Sequence, residues 1–303
     1  MLRKPIILFP SDYSDKSVVD SSFGDEYQAA FSQTNLSVAL FDQKVFDEQG
    51  IVRVELETDP AVTPITVYRG WMMKPEQYSS FFKQLGDQGV RLINTPEEYA
   101  NLHLFPNSYE KLKEVTPKTL VFKSDDVSYE KVVEAFDRFI IKDYVKSVKG
   151  FDFPVPIESS ISREEFATLL ERFRYFRGDL FTGGYVFKQF VDYKRYGDTT
   201  NEWRCFYLNH RILTYSRNSG QHKTCPYPSW GILTSCSNLG SPYYTIDFAE
   251  LEDGGWVVIE TGDGQVSGLA SEENLVLYFQ KLSEDLLLKY LADDSEGIEV
   301  KRT

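Results

Sequence analysis

Two apolar segments late in the chain each carry a single carboxylate, and a Gly-Gly turn joins them. They read Tyr244-Thr245-Ile246-Asp247-Phe248-Ala249 and Trp256-Val257-Val258-Ile259-Glu260-Thr261, with Asp253-Gly254-Gly255 between. Glycines after an aspartate favour a tight hairpin. In an antiparallel hairpin, Asp247 and Glu260 come side by side on one face. Neighbouring carboxylates repel unless a cation or a proton intervenes. The apolar flanks imply that these strand ends are buried. Magnesium is the natural guest, because it prefers oxygen ligands and is commonly held by one or two carboxylates with substrate phosphates.

From Gly183 the pattern turns to β. Strands are expected at 185–191, 202–208, 211–215, 243–249 and 256–260, with Asn209-His210 as a second tight turn. Lys188 sits inside the first of these, where a charge needs a partner or a ligand. Glu202, Arg204 and Phe206 share one face of the second. Arg204 can brace a phosphate or pair with a carboxylate. Arg217 lies just after the third. Earlier, an apolar strand at 139–142 delivers Lys142 into Asp143-Tyr144-Val145-Lys146-Ser147-Val148-Lys149-Gly150. Lysines leaving a buried strand into a loop with Ser147 and Gly150 can grip phosphate oxygens.

The first third alternates strand and helix. Strands are expected at 5–9, 37–41, 52–57, 66–68 and 90–93, and helices at 25–34 and from Pro75 to about 85. This βαβ rhythm implies an α/β domain ending near Thr116-Pro117. A helix follows at 128–139. Another is capped by Ser160 or Ser162 and runs to about 174, with Glu165 three residues after Ser162 as in a capping box. The last helices span about 271–291, and an acidic frayed tail is expected from Asp293.

Composition narrows the function. The 303 residues are 42% hydrophobic and 15% aromatic, enough for a substantial core. A net charge of −13 disfavours non-specific nucleic-acid binding. No run approaches the ~18 apolar residues of a membrane span, and the opening apolar run is too short for a secretory signal. Three cysteines give no disulfide framework, so the cytoplasm is the expected location. His222, Cys225 and Cys236 lack a fourth ligand and paired spacing, which argues for ordinary core and loop residues over zinc.

Taken in order, these features resemble the ATP-grasp superfamily: a lysine strand with a small loop, a second lysine strand, a Glu-x-Arg strand, then Asp and Glu on paired strands. Within it the chain is most similar to the mainly phage and bacterial clade named for an arginine-to-lysine replacement. Tyr68-Arg69-Gly70-Trp71 and the segment 260–265 add to that likeness, which spans nearly the whole chain. The resemblance implies an α/β architecture with α+β lobes. Residues 1–115 would form a pre-ATP-grasp domain and 116–303 the ATP-grasp domain, with lobes at about 116–182 and 183–303. It implies that Lys142, Lys146 and Ser147 meet ATP phosphates, that Lys188 and the backbone of Gln189, Phe190 and Val191 hold adenine, and that Glu202 lies near the ribose or adenine edge. Asp247 and Glu260 would bind Mg2+. Relatives commonly place Asn two residues after the metal glutamate, where this chain has Gly262, and Asp263 offers itself as the third ligand. Relatives also place a basic residue two before the metal aspartate, where Thr245 stands, leaving Arg204, Arg217 or a lysine to stabilise the transferring phosphoryl group.

The implied reaction joins a carboxylate to an amine through an acyl phosphate, with ATP and Mg2+ and no histidine or cysteine nucleophile. The implied partner is a small-molecule, amino-acid or peptide substrate, or a protein, and no membrane. The alternatives are an ATP-binding assembly chaperone and a non-catalytic nucleotide-binding module. Arg69, Trp71, Tyr99 and His103 are candidates for the substrate side, set against plain packing between domains.

Overall fold

A computed structural model of the chain describes residues 4–54, 64–148, 150, 153–218, 220–221, 223–270 and 273–299. Three four-stranded sheets organise it. The first is parallel, in the order β2-β1-β3-β4, from β1 (Ile6–Pro10), β2 (Ser37–Phe41), β3 (Ile65–Tyr68) and β4 (Arg91–Leu92). Every residue of β1 is buried, as expected of an inner parallel strand covered on both faces. Of the expected strand at 52–57, only Val54 bridges a strand, at Phe41; Val52 and Arg53 are not strand, and 55–57 lie outside the described residues.

Helices α1 (Gly24–Phe31), α2 (Gln43–Gln49), α3 (Pro75–Asp87) and α4 (Pro96–His103) connect and flank these strands. Pro75 and Pro96 occupy first-turn positions where no amide is needed. Thr95 and Glu98 close a reciprocal capping box that fixes the start of α4. Next, α5 (Phe105–Leu112) leads into the second sheet. That sheet, ordered β5-β8-β6-β7, is antiparallel, from β5 (Thr119–Lys123), β6 (Arg138–Lys142), β7 (Ile157–Glu158) and β8 (Gly184–Gln189). The helix expected at 128–139 is shorter. It is α6 (Tyr129–Ala135), because Phe136 is already extended and Phe139 joins the sheet core. Ser162 caps α7 (Arg163–Arg177), with Glu165 completing the box. Phe166, Leu169 and Phe173 of α7 pack on Phe139 and Phe187 to give this sheet its own core.

A small hairpin of β9 (Arg195–Tyr196) and β10 (Thr199–Thr200) precedes the third sheet. Its order is β12-β11-β13-β14, all antiparallel, from β11 (Glu202–Leu208), β12 (Arg211–Arg217), β13 (Tyr243–Glu250) and β14 (Trp256–Asp263). Asn209 and His210 both take positive φ, the turn that a two-residue hairpin loop demands. A short α8 (Trp230–Ser235) fills the β12–β13 connection. Finally, α9 (Leu275–Glu299) is rich in leucine as far as Leu291 and runs past Asp293, where a frayed tail was expected. Its Tyr278, Phe279, Leu282 and Leu286 join Ile7, Phe9 and Val67 of the first sheet, Ala30 of α1, and Phe206 and Leu208 of β11 in one core. No helix among the described residues is long and apolar enough to cross a membrane.

Candidate functional site

Strand register sets a row of charges across the third sheet. Arg204 pairs with Asp247, and Asp247 with Glu260, so three charged residues on β11, β13 and β14 stand abreast. Arg204 grips Asp247 with a fork, Nε to Oδ1 at 2.8 Å and Nη2 to Oδ2 at 2.7 Å, and its Nη1 donates to the Gly268 carbonyl at 2.8 Å. Glu260 receives Lys142 Nζ at 3.5 Å and Lys146 Nζ at 3.1 Å. Burial pushes the Glu260 carboxyl upward, but the Lys142 and Lys146 ammoniums and the Arg204 guanidinium outweigh it and bring it down to about 2.

The lysines come from the second sheet. Lys142 ends β6, and the chain turns at once so that Lys142 bridges Ser147. Asp143, fully buried, fixes that turn. Its carboxylate accepts the amides of Val145 and Lys146, both at 2.7 Å, the Arg177 Nε at 2.8 Å and the Thr182 amide at 3.2 Å. An aspartate that binds the amides two and three residues on is an Asx turn. On β8, Lys188 is buried. It donates to the Ile259 carbonyl at 2.9 Å, and its ammonium lies 4.9 Å from the Phe105 ring centroid. Burial, with Lys142 nearby, holds its pKa well below the usual lysine range. Gly184, at the start of the same strand, is obligatory, since a Cβ there would lie 2.1 Å from the Phe122 carbonyl oxygen.

Two cavities meet at this row. One, of about 260 Å³, lies between the second and third sheets and is lined by Lys142, Lys146, Ser147, Lys188, Gln189, Phe190, Val191, Glu202 and Glu260, with Ile140, Val155 and Ile259 as apolar walls. The other, of about 160 Å³, is lined by Lys146, Arg204, Asp247 and Glu260 with Met72, His103, Thr245 and Gly262. Lys146 and Glu260 belong to both. At the far end of the first, Thr200 Oγ1 and Asn218 Nδ2 donate to the Glu202 carboxylate at 2.6 and 3.2 Å.

Two expected residues stand elsewhere. Asp263 borders the smaller cavity, but it pairs with Tyr244, one residue out of step with the Asp247–Glu260 and Thr245–Gly262 pairs, so the strand alternation turns its side chain to the opposite face. There its carboxylate accepts Asn94 Nδ2, the Gln265 amide and Gln265 Nε2, and burial pushes it up to about 7 against those donors. The Asp263 side chain thus stands apart from the Asp247–Glu260 pair, held by Asn94 and Gln265. Arg217 pairs with Trp203, not Arg204, and so faces away from the row. Its guanidinium lies 4.6 Å from the Trp203 ring and 5.5 Å from Tyr227. At the position of the usual asparagine, a Cβ on Gly262 would lie 2.7 Å from Ser267 Oγ and 3.0 Å from Thr245 Oγ1, so those hydroxyls would have to move to admit a side chain.

The N-terminal candidates divide. Arg69 is buried, paired to Glu26 through Nε at 2.8 Å and Nη2 at 3.0 Å, and donates to the Gly264 carbonyl, so it joins the first sheet to the loop after β14. Tyr99 stacks on Tyr78 at 4.0 Å and binds the Met73 backbone. Trp71 is half exposed and donates to Asp20. Only His103 among the four lines the smaller cavity; burial, then Lys146, lowers its pKa to about 4, leaving a neutral ring at pH 7. Cys225 and Cys236 are buried, and His222 lies outside the described residues. Asp143 and Arg177 were missed in the sequence, although an acid directly after a lysine strand was there to be read.

A family model matches residues 112–282; it describes the ATP-grasp domain of the arginine-to-lysine clade, family 3. The chain belongs to that ATP-grasp family. No curated protein matches the sequence. Among solved structures, the ATP-grasp fold recurs in the ligase PsnB complexed with a minimal precursor, at 14% identity and a TM-score of 0.58, covering 95% of this chain and 99% of that one. It recurs in D-alanine-D-alanine ligase from Coxiella burnetii, at 10% identity and TM-score 0.60, with 99% of each chain covered. A RimK domain ATP-grasp protein from Sphaerobacter thermophilus gives 13% identity and TM-score 0.57, over 93% of this chain and 99% of that one. At such identities the likeness is one of ATP-grasp fold.

Proposed function

We propose that this protein is an ATP- and Mg2+-dependent ligase that joins a carboxylate to an amine through an acyl phosphate. The observation that carries the proposal is the Arg204–Asp247–Glu260 row at the junction of two cavities. The larger cavity suits a nucleotide: Ile140, Val155, Phe190 and Ile259 against the base, the edge of Gln189–Val191 and Glu202 for its polar groups, and Lys142, Lys146 and Lys188 toward the phosphates. The smaller suits the acceptor, beside Arg204 and His103. Among the neighbours, PsnB was solved with Mg and ADP. The domain division that accompanies this reading is 1–115 and 116–303, with lobes meeting near 182.

Asp247 and Glu260 fit Mg2+, being two oxygen-donor side chains paired across adjacent strands. When bound, that ion supplies charge neutralisation on the phosphates. In the first step a substrate carboxylate oxygen bonds to the γ-phosphorus, the bridging P–O bond breaks, and ADP leaves. In the second the amine nitrogen bonds to the acyl carbon, the C–O bond to phosphate breaks, and the amine proton passes to solvent. Lys142, Lys146 and Arg204 hold the anionic oxygens in place, which is catalysis by positioning and electrostatics.

An assay of ADP release over amino acids and dipeptides tests the reaction, with ATP affinity measured by calorimetry. Lys188→Ala and Glu260→Ala should each weaken ATP binding measured with Mg2+ present, while remaining folded. Unchanged affinity in both would sink the site assignment. ATP binding with no turnover across the panel would favour the assembly-chaperone or binding-module reading.

A further inference from the structure

Both carboxylates of the row already have cationic partners. The Arg204 fork holds Asp247 at 2.8 and 2.7 Å, and Lys142 and Lys146 reach Glu260 at 3.5 and 3.1 Å. Asp247 and Lys142 are sheltered, their side chains 8% and 10% exposed, while Lys146 reaches Glu260 from the rim. Three cations, Arg204, Lys142 and Lys146, therefore face two carboxylates, a positive excess. A free divalent cation meets that excess. To reach both carboxylates it must displace a guanidinium fork and two ammoniums, leaving sheltered charges without their counter-ions. A phosphate chain meets the opposite situation. It brings anionic oxygens to which Arg204, Lys142 and Lys146 can turn, and their turning uncovers Asp247 and Glu260.

On the ligase reading above for the identity of the nucleotide, we propose that the metal site is latent: closed to a free divalent cation, and created by the phosphates of the nucleotide. Nucleotide enters first or together with the metal. A preformed carboxylate site would do the reverse, loading metal alone and gaining affinity for nucleotide afterwards.

Mn2+, whose free ion is counted by electron paramagnetic resonance, is the probe. Wild-type protein without nucleotide should take up no Mn2+ tighter than about 1 mM, whereas ATP in excess EDTA should bind measurably by calorimetry. Lys146→Met removes a side chain that is 41% exposed, so the fold should tolerate it. Arg204→Met is the second variant and frees the other carboxylate. Each should gain about tenfold or more in Mn2+ affinity without nucleotide, and each should lose ATP affinity. Wild-type protein that takes up Mn2+ equally well with and without ATP would overturn the proposal, as would folded variants that show no gain. If ATP binds neither with nor without metal, the ligase reading fails, while the Mn2+ gain in Lys146→Met still decides this one.

Discussion

Replacing Glu260 by Gln keeps the shape of the side chain and removes one charge from between two lysines. The fall of its pKa from 4.5 to about 2 corresponds to roughly 3 kcal/mol of coupling at neutral pH. About a quarter of the side chain reaches solvent, so about 2 kcal/mol is the expected loss once screening is allowed for. The sign follows from the direction of the shift. A carboxyl held below its unfolded value contributes stability that is present above pH 4.5 and is lost as pH falls from there toward 2. The gap between wild type and Glu260→Gln should be full at pH 7 and should narrow below pH 4.5. Urea unfolding at pH 7, 5 and 3.5 reads it directly, without ligands. A gap of the same size at all three values, or no gap at pH 7, would refute the claim that Lys142 and Lys146 stabilise this carboxylate.

Other substitutions separate site from scaffold. Ser162→Ala should cost about 1 kcal/mol by loss of the α7 cap, measured by urea unfolding, with ATP affinity unchanged. Arg217→Met should leave ATP affinity within twofold of wild type in calorimetry, because that side chain faces away from the charge row. Asp143→Ala removes the acceptor of four hydrogen bonds and the partner of Arg177, and should cost on the order of 3–5 kcal/mol. Asp263, held up at about 7, contributes stability that is present below its unfolded value and lost as pH rises from there through 7. Asp263→Asn should therefore gain stability relative to wild type between pH 5 and pH 8 in thermal melts.

The sequence was most legible where burial and local geometry coincide. The strand at 202–208 has the expected ends, and Asn209-His210 makes the expected turn, because alternation and turn chemistry both act within a few residues. Lys142, Lys188, Asp247 and Glu260 could be singled out because charge inside apolar runs is costly. Asp263 and Arg217 show the limit of reading along the chain: strand register, a pairing over many residues, decides the face, and it turns both side chains away from the charge row. Period two was enough to exclude Asp263 from the face of Glu260. Asp143 escaped notice because its partners, Arg177 and Thr182, are brought to it only by the folded second sheet. Helices α4 and α5 are short, and their apolar residues face β14, a partner the local sequence does not name.

The core that Ile7, Phe9 and Val67 share with Phe279, Leu282 and Leu286 has a bearing on synthesis. The first sheet emerges from a ribosome well before the helix that covers it. Nearly the whole chain must be translated before Phe9 meets Leu282, at rates of about 5–20 residues per second. For that interval an apolar face of the nascent protein stays open, and its protection falls to whatever holds unfolded chains in the cell.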